Sequence, residues 1–252
     1  MSQIKYAAWE IHRNLSVVKE SAKMKRGILF DMDGTLWDSA ENVAKSWNLA
    51  IREYENASKG ERDRKGEKQV ESRRDLTAED IHGVMGKTMD VIADILFADL
   101  DLENRRKLLE LCCERENAYL REHGGVLYPG MVSTLKKLKE RYPLYIVSNC
   151  QKGYIEAFLD YYQLWNYFED IECYGNNLLQ KGDNIRLVVN RNQLDEAVYV
   201  GDIQGDYDAS KKAGVAFIHA AYGFGTIDEE VQRIEEFSRL ADLPLFGVHE
   251  KE

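Results

Sequence analysis

Two aspartates, Asp31 and Asp33, stand in the run Phe30-Asp31-Met32-Asp33-Gly34-Thr35-Leu36, directly behind an apolar stretch. If that stretch is a strand, alternate side chains share a face, so both carboxylates leave its tip in the same direction. Gly34 lets the chain turn sharply just after them. Such a pair can divide labour, one carboxylate attacking as nucleophile and the other transferring protons. The plainer reading is a strand-end turn, where Asp and Gly are common.

Three further groups could serve the same chemistry. Ser148-Asn149 follows a second apolar run and offers a hydroxyl and an amide to a phosphate oxygen, as Thr35 does in the first segment. Lys181-Gly182 precedes a helical pattern, where the ammonium could neutralise a nucleophile and a transferring phosphoryl group, or simply be solvated. Gly201-Asp202-Ile203-Gln204-Gly205-Asp206 sets two carboxylates at a third strand end, an oxygen set suited to Mg²⁺, with Asp206 also able to cap a helix. Gathered at one sheet edge, Asp31, Asp33, Asp202 and Asp206 would repel one another and raise one another's pKa values, which a cation would relieve.

The elements that must position these groups are legible in outline. Gly27–Phe30, Leu144–Val147, Ala197–Val200 and Ala216–His219 are short apolar runs without alternation, as in strands buried on both faces. Helical patterns at Val132–Arg141, Tyr154–Tyr162, Asn184–Asn190 and Asp206–Ala213 separate them. That alternation predicts a doubly wound, Rossmann-like α/β parallel sheet with its site at the carboxyl ends of the strands.

From Asp38 to about Tyr128 no convincing strand is present. Asp38 with Glu41 reads as a capping box, and helices are expected at Thr77–Val84, Thr88–Phe97 and Leu102–His123. The chain therefore divides into an extension (1–24), an α/β core (25–37 and 128–252) and an inserted helical cap (38–127). The charged stretch Glu55–Asp75 is expected to be an exposed loop. Tyr6–Lys19 could be helical, and a ribosome-binding sequence encoded at Lys19-Glu20 would allow translation to start at Met24.

A net charge of −10 argues against a nucleic-acid surface. No apolar run reaches the ~20 residues of a membrane span, and no secretory signal opens the chain. Four cysteines without metal spacing suit a reducing, cytoplasmic setting.

In this order the motifs resemble the haloacid dehalogenase superfamily of phosphatases, over Lys25 to about Asp228. Asp31-x-Asp33-Gly34-Thr35, Ser148, Lys181 and Gly201-Asp202-x-x-x-Asp206 match its four motifs in sequence. The helical insert is similar to the cap of the phosphoglycolate phosphatase and β-phosphoglucomutase branch. The resemblance implies a phosphatase acting on a small phosphorylated metabolite, phosphoglycolate-like or a sugar phosphate. Asp31 would be the nucleophile forming an aspartyl-phosphate, and Asp33 the acid and base. Ser148 and Lys181 would hold the phosphoryl group. Mg²⁺ would be bound by Asp31, the Asp33 carbonyl and Asp202, with Asp206 assisting directly or through water. Thr35, Asn149, Gly86 and Lys87 are candidate substrate contacts, the last two in the turn Met85-Gly86-Lys87-Thr88, which could equally be a plain helix connection. A phosphomutase and a non-catalytic phosphate-binding module are the rival readings.

Overall fold

The computed structural model describes residues 24–65 and 72–246, with backbone alone at 61–65. The expectations for Tyr6–Lys19 and for a start at Met24 fall on residues outside this range.

Six parallel strands form the sheet, in the order β5-β4-β1-β6-β7-β8. They are β1 (Arg26–Phe30), β4 (Leu144–Ser148), β5 (Asp170–Cys173), β6 (Glu196–Gly201), β7 (Ala216–Ala220) and β8 (Arg233–Ile234). Successive residues of the central strands serve opposite faces. Ile28, Phe30, Ile146, Val198 and Val200 pack with α5 (Met131–Lys139) and α6 (Tyr154–Tyr162). Leu29, Tyr145, Val147 and Tyr199 pack with α8 (Lys181–Arg191) and α9 (Gln204–Ala213). A strand covered on both sides has no place for alternation, which is why these runs are uniformly apolar.

Register fixes where the chemistry falls. Phe30 lies level with Ile146 on one side and Val200 on the other. The next residues of β1 and β6, and the last of β4, therefore emerge together at the carboxyl edge. The chain leaves β1 for β4 on one flank and returns to β6 on the other, so Asp31 and Asp202 border the crevice where the winding reverses.

Two strands escape the sequence pattern. In β5, Asp170 and Glu172 alternate with Ile171 and Cys173, and the charges are absorbed by Arg191, at 2.6 Å from each carboxylate. β8 is only two residues long. Both are edge strands, half-covered and so less apolar.

The segment between β1 and β4 is helical, with α1 (Ala40–Lys65), α2 (Ala78–His82), α3 (Met89–Leu96) and α4 (Leu102–His123), followed by α5. Three expectations are corrected here. The insert is not free of strands, because β2 (Trp37–Asp38) pairs antiparallel with β3 (Val126–Leu127) and closes its neck. The capping box does not form. α1 starts at Ala40 with the Ser39 carbonyl accepting from Val43, Asp38 accepts from the Ala40 N–H, and Glu41 turns to Lys45. The stretch from Glu55 is helical as far as Lys65 rather than a loop. Its Ala, Glu, Lys and Arg residues are good helix formers, so a helix already anchored at Trp47 and Ile51 continues into solvent. Residues 66–71 of the expected loop are outside the described range.

Trp37 lies at the neck on the ring of Phe158, centroids 5.0 Å apart, both fully buried. Phe158→Ala should cost about 3–5 kcal/mol of stability. Urea denaturation showing less than about 1 kcal/mol would mean the neck does not depend on this packing.

Candidate active site

The site is assembled by strand ends. Asp31 follows β1, Asp202 follows β6, and Lys181 opens α8 instead of preceding it. All three are buried, as is Asp206 in the first turn of α9. The Lys181 ammonium donates to Asp31 Oδ1 at 2.9 Å and to Asp206 Oδ1 at 2.6 Å. Burial disfavours a charged amine, yet the two carboxylates outweigh it and hold Lys181 protonated far above its ordinary range. The alternative of a solvated surface lysine is thereby excluded.

Asp206 has both oxygens engaged. Oδ1 takes the ammonium, while Oδ2 accepts the backbone N–H groups of Asp202 (3.0 Å) and Ile203 (3.2 Å). It thus braces the loop that carries Asp202 as well as orienting Lys181. Asp202 is held by the Phe224 N–H on its Oδ2 at 2.8 Å. The turn after β1 approaches closely: a Cβ on Gly34, at φ +84°, would meet Asp202 Oδ2 at 2.0 Å. Only glycine fits there.

Asp33 is held differently. Its Oδ1 accepts from the hydroxyls of Ser39 and Tyr154, each at 2.7 Å. Burial raises its carboxyl to about 6, against the opposing pull of those two hydroxyls. A carboxyl in that range can both give and take a proton near neutral pH. Neither Ser39 nor Tyr154 was legible as a site residue. Tyr154 is the first residue of α6, and only its alignment with the β1 tip, a matter of topology, reveals its role.

One oxygen from each of Asp31, Asp202 and Asp206 lies within 4.8 Å of the others, the one such acidic or metal-ligating group among the described residues. Three buried carboxylates share one ammonium. Burial, and then repulsion from Asp206, raise Asp31 to about 7 and Asp202 to about 8. This hard-oxygen set with surplus negative charge suits Mg²⁺.

Above these groups, helices of the insert roof a cavity of about 40 Å³. Asp31, Asp33, Ser148, Asn149, Gly86 and Lys87 line it, so the structure brings these expected residues together. Thr35 does not line it; its hydroxyl is buried without a partner and its carbonyl accepts from Tyr222. Asn149 is turned to the insert, its amide donating to the Gly86 carbonyl at 2.9 Å. Gly86, at φ +78°, passes so close to the core that a Cβ would strike Ile203 at 2.3 Å. The Tyr174 hydroxyl donates to Asp90, and the His82 ring rests 4.5 Å from Phe224, adding two more contacts between insert and core. Cys150 also lines the cavity, but burial keeps its thiol protonated and unreactive. Trp47, Glu116, Gln151 and Tyr154 also line it and are not among the residues expected for the site.

Residues 28–220 match the model of the haloacid dehalogenase-like hydrolase family. A phosphoglycolate phosphatase of Escherichia coli strain K12 is 27% identical over 210 residues, spanning 79% of this chain and 82% of that protein. One from Salmonella typhimurium is 26% identical over the same shares. Among solved structures, a haloacid dehalogenase-like family hydrolase from Streptococcus pneumoniae matches with a TM-score of 0.66 at 20% identity, over 87% of this chain and 98% of that one. CbbY from Rhodobacter sphaeroides, in complex with xylulose-(1,5)bisphosphate, matches with a TM-score of 0.66 at 20% identity, over 86% and 96%. The structural matches show a shared fold.

The raised carboxyls make the metal-free protein sensitive to pH. Unfolded Asp titrates near 4. Asp33, Asp31 and Asp202 keep their protons in the folded state up to about 6, 7 and 8. The folded state therefore binds more protons across this window, and its stability must fall as pH rises. Melting in EDTA should show a lower midpoint at about pH 8 than at about pH 5.5, with Mg²⁺ recovering most of the loss at pH 8. A midpoint that stays level or climbs would contradict the charge crowding described here.

Proposed function

The chain belongs to the haloacid dehalogenase-like hydrolases, and from that premise we propose that it is a Mg²⁺-dependent phosphatase of small phosphate esters, working through an aspartyl-phosphate on Asp31. The observation that carries the reading is that Asp31, bonded to the Lys181 ammonium, and Asp33 line one cavity beneath the insert. The curated relatives named phosphoglycolate phosphatase, and a structural neighbour holding a sugar bisphosphate, point to the same class of substrate.

Asp31 attacks phosphorus in line, and the P–O bond to the leaving oxygen breaks as the Asp31–phosphorus bond forms. Asp33, held by Ser39 and Tyr154, gives its proton to that oxygen. It then takes a proton from the water that cleaves the aspartyl-phosphate, returning both carboxylates to their starting forms. Lys181 and Ser148 steady the phosphoryl oxygens, and Asp206 keeps the Lys181 ammonium aimed. Asp31, the Asp33 carbonyl and Asp202 would hold Mg²⁺, with Asp206 behind them; the ion supplies positive charge to the transferring phosphoryl group.

The insert, residues 38–127, acts as the cap. Its contacts through Asn149–Gly86 and Tyr174–Asp90 hold it on the core and shut out bulk water during transfer. Those contacts must part for substrate to be admitted and product to leave.

Phosphate release from a panel of small esters tests the reading, with Asp31→Asn and EDTA as controls. Each control should lower turnover on the order of 10³-fold or more. Turnover that survives Asp31→Asn would rule out the covalent route, and turnover indifferent to EDTA would rule out the metal.

A further inference from the structure

The catalytic cavity has two unlike walls. The core supplies acids and a phosphate-facing edge, whereas the cap supplies Val43, Trp47, Ile81, Val84, Met89 and Ile92. Two ionisable groups interrupt the apolar cap wall, the exposed Lys87 and the buried Glu116. Glu116, on the inner face of α4, is only 4% exposed. The Trp47 indole N–H donates to its Oε2 at 2.5 Å, which fixes the carboxylate in place. The neighbouring Gln151 is itself anchored, its amide donating to Asn117. A carboxyl in such a position is costly to bury and contributes nothing to the aspartyl chemistry. Burial raises it to about 7, with Asp33 close enough to add to the effect.

Resting on the phosphatase reading above, we propose that Glu116 reads the end of the substrate remote from phosphorus. That end carries a hydrogen-bond donor, a hydroxyl or an amine, and not a carboxylate. The argument is one of charge balance. An anionic end group inside this cavity would face Glu116 and Asp33 and would need a cation of its own. Lys181 is committed to Asp31 and Asp206. Lys87, the one cation among the described residues that line the cavity, is exposed, so it would answer an anion at the rim and not one beside the buried Glu116. A carboxylate drawn into the apolar pocket would therefore be unpaired, which is among the costliest arrangements a protein interior can adopt. A hydroxyl or ammonium finds an acceptor instead, and an ammonium also offsets negative charge.

Size narrows the class further. A cavity of about 40 Å³ holds on the order of three water-sized groups. With the cap seated as it is, the cavity favours a small leaving group. The proposal thus departs from the phosphoglycolate-like expectation, keeps compact hydroxyl-bearing phosphates and adds amino-alkyl ones.

Four matched esters test this: 2-hydroxyethyl phosphate, 2-aminoethyl phosphate, ethyl phosphate and phosphoglycolate, which differ in their end group. Assays with Mg²⁺ at about pH 8 keep Glu116 ionised. The wild-type kcat/KM for the hydroxyl and amino esters should exceed that for phosphoglycolate by at least about tenfold, with ethyl phosphate between them. Glu116→Gln preserves size and an acceptor for Trp47 while adding a donor, and should shrink the gap to about threefold or less. Phosphoglycolate turned over as well as the hydroxyl ester by the wild type would overturn the proposal, without recourse to any variant. An unchanged gap in Glu116→Gln would remove Glu116 from the role. Hydrolysis of none of the four by folded, Mg²⁺-loaded protein would overturn the phosphatase reading and this inference together.

Discussion

Everything else in this protein depends on one buried ammonium held between two carboxylates. Lys181 bridges Asp31 and Asp206, and each of the three comes from a different element: a strand end, a helix start and the first turn of another helix. A lysine this deeply buried is tolerable only because two anions surround it. The anions are in turn tolerable only because the lysine is there, and even so they remain over-charged. The cluster is thus self-consistent as a set, and no member can be altered without exposing the others to an uncompensated charge.

That constraint explains the backbone around it. Asp206 is both the partner of Lys181 and the acceptor for the Asp202 and Ile203 N–H groups, so the charge cluster and the shape of the β6–α9 loop are one structure. On the opposite side, Gly34 gives up its side chain so that the turn after β1 can lie against Asp202. The loop after β7 adds the Phe224 N–H to the same carboxylate and the Phe224 ring to His82 of the insert. Through Phe224 the acidic centre and the seating of the cap share a contact.

What the sequence made legible follows from the same physics. The strands buried on both faces announce themselves as apolar runs, and the residues directly after them are where open α/β sheets place their sites. Asp31, Ser148 and Asp202 could therefore be located by counting from the ends of those runs. Lys181 was found by its place before a helix, although its burial could not be, since only the register of α8 against α9 brings it inside. The edge strand β5 was missed because Arg191, far along the chain, neutralises its acids. The run after Glu55 was misread because charge content speaks to solvation, whereas helix propensity and an anchored first half decide conformation. Ser39, Tyr154 and Glu116 carry no local signal at all. Each is an ordinary residue on an ordinary helix or turn until the neck strands β2 and β3 fix how the insert returns to the core.

The division between the two walls of the cavity also has a physical logic. Phosphoryl chemistry needs strong, fixed charges, and those are most precise on strand ends within a rigid sheet. Discrimination among leaving groups needs a surface that can withdraw, because a pocket tight enough to read a small end group is too tight to admit it. The apolar wall and Glu116 lie on the inserted segment, which joins the core through the two-residue strands of the neck and rests on it through Asn149–Gly86, Tyr174–Asp90 and Arg121–Asp160. On the proposed reading, lifting of that segment would return Glu116 to water and remove the cost of burying it. When it closes, the same carboxylate is desolvated and counts most strongly toward whatever it faces. On the proposed reading, a buried acid on the insert discriminates only while the insert is seated on the core, the state in which transfer would take place.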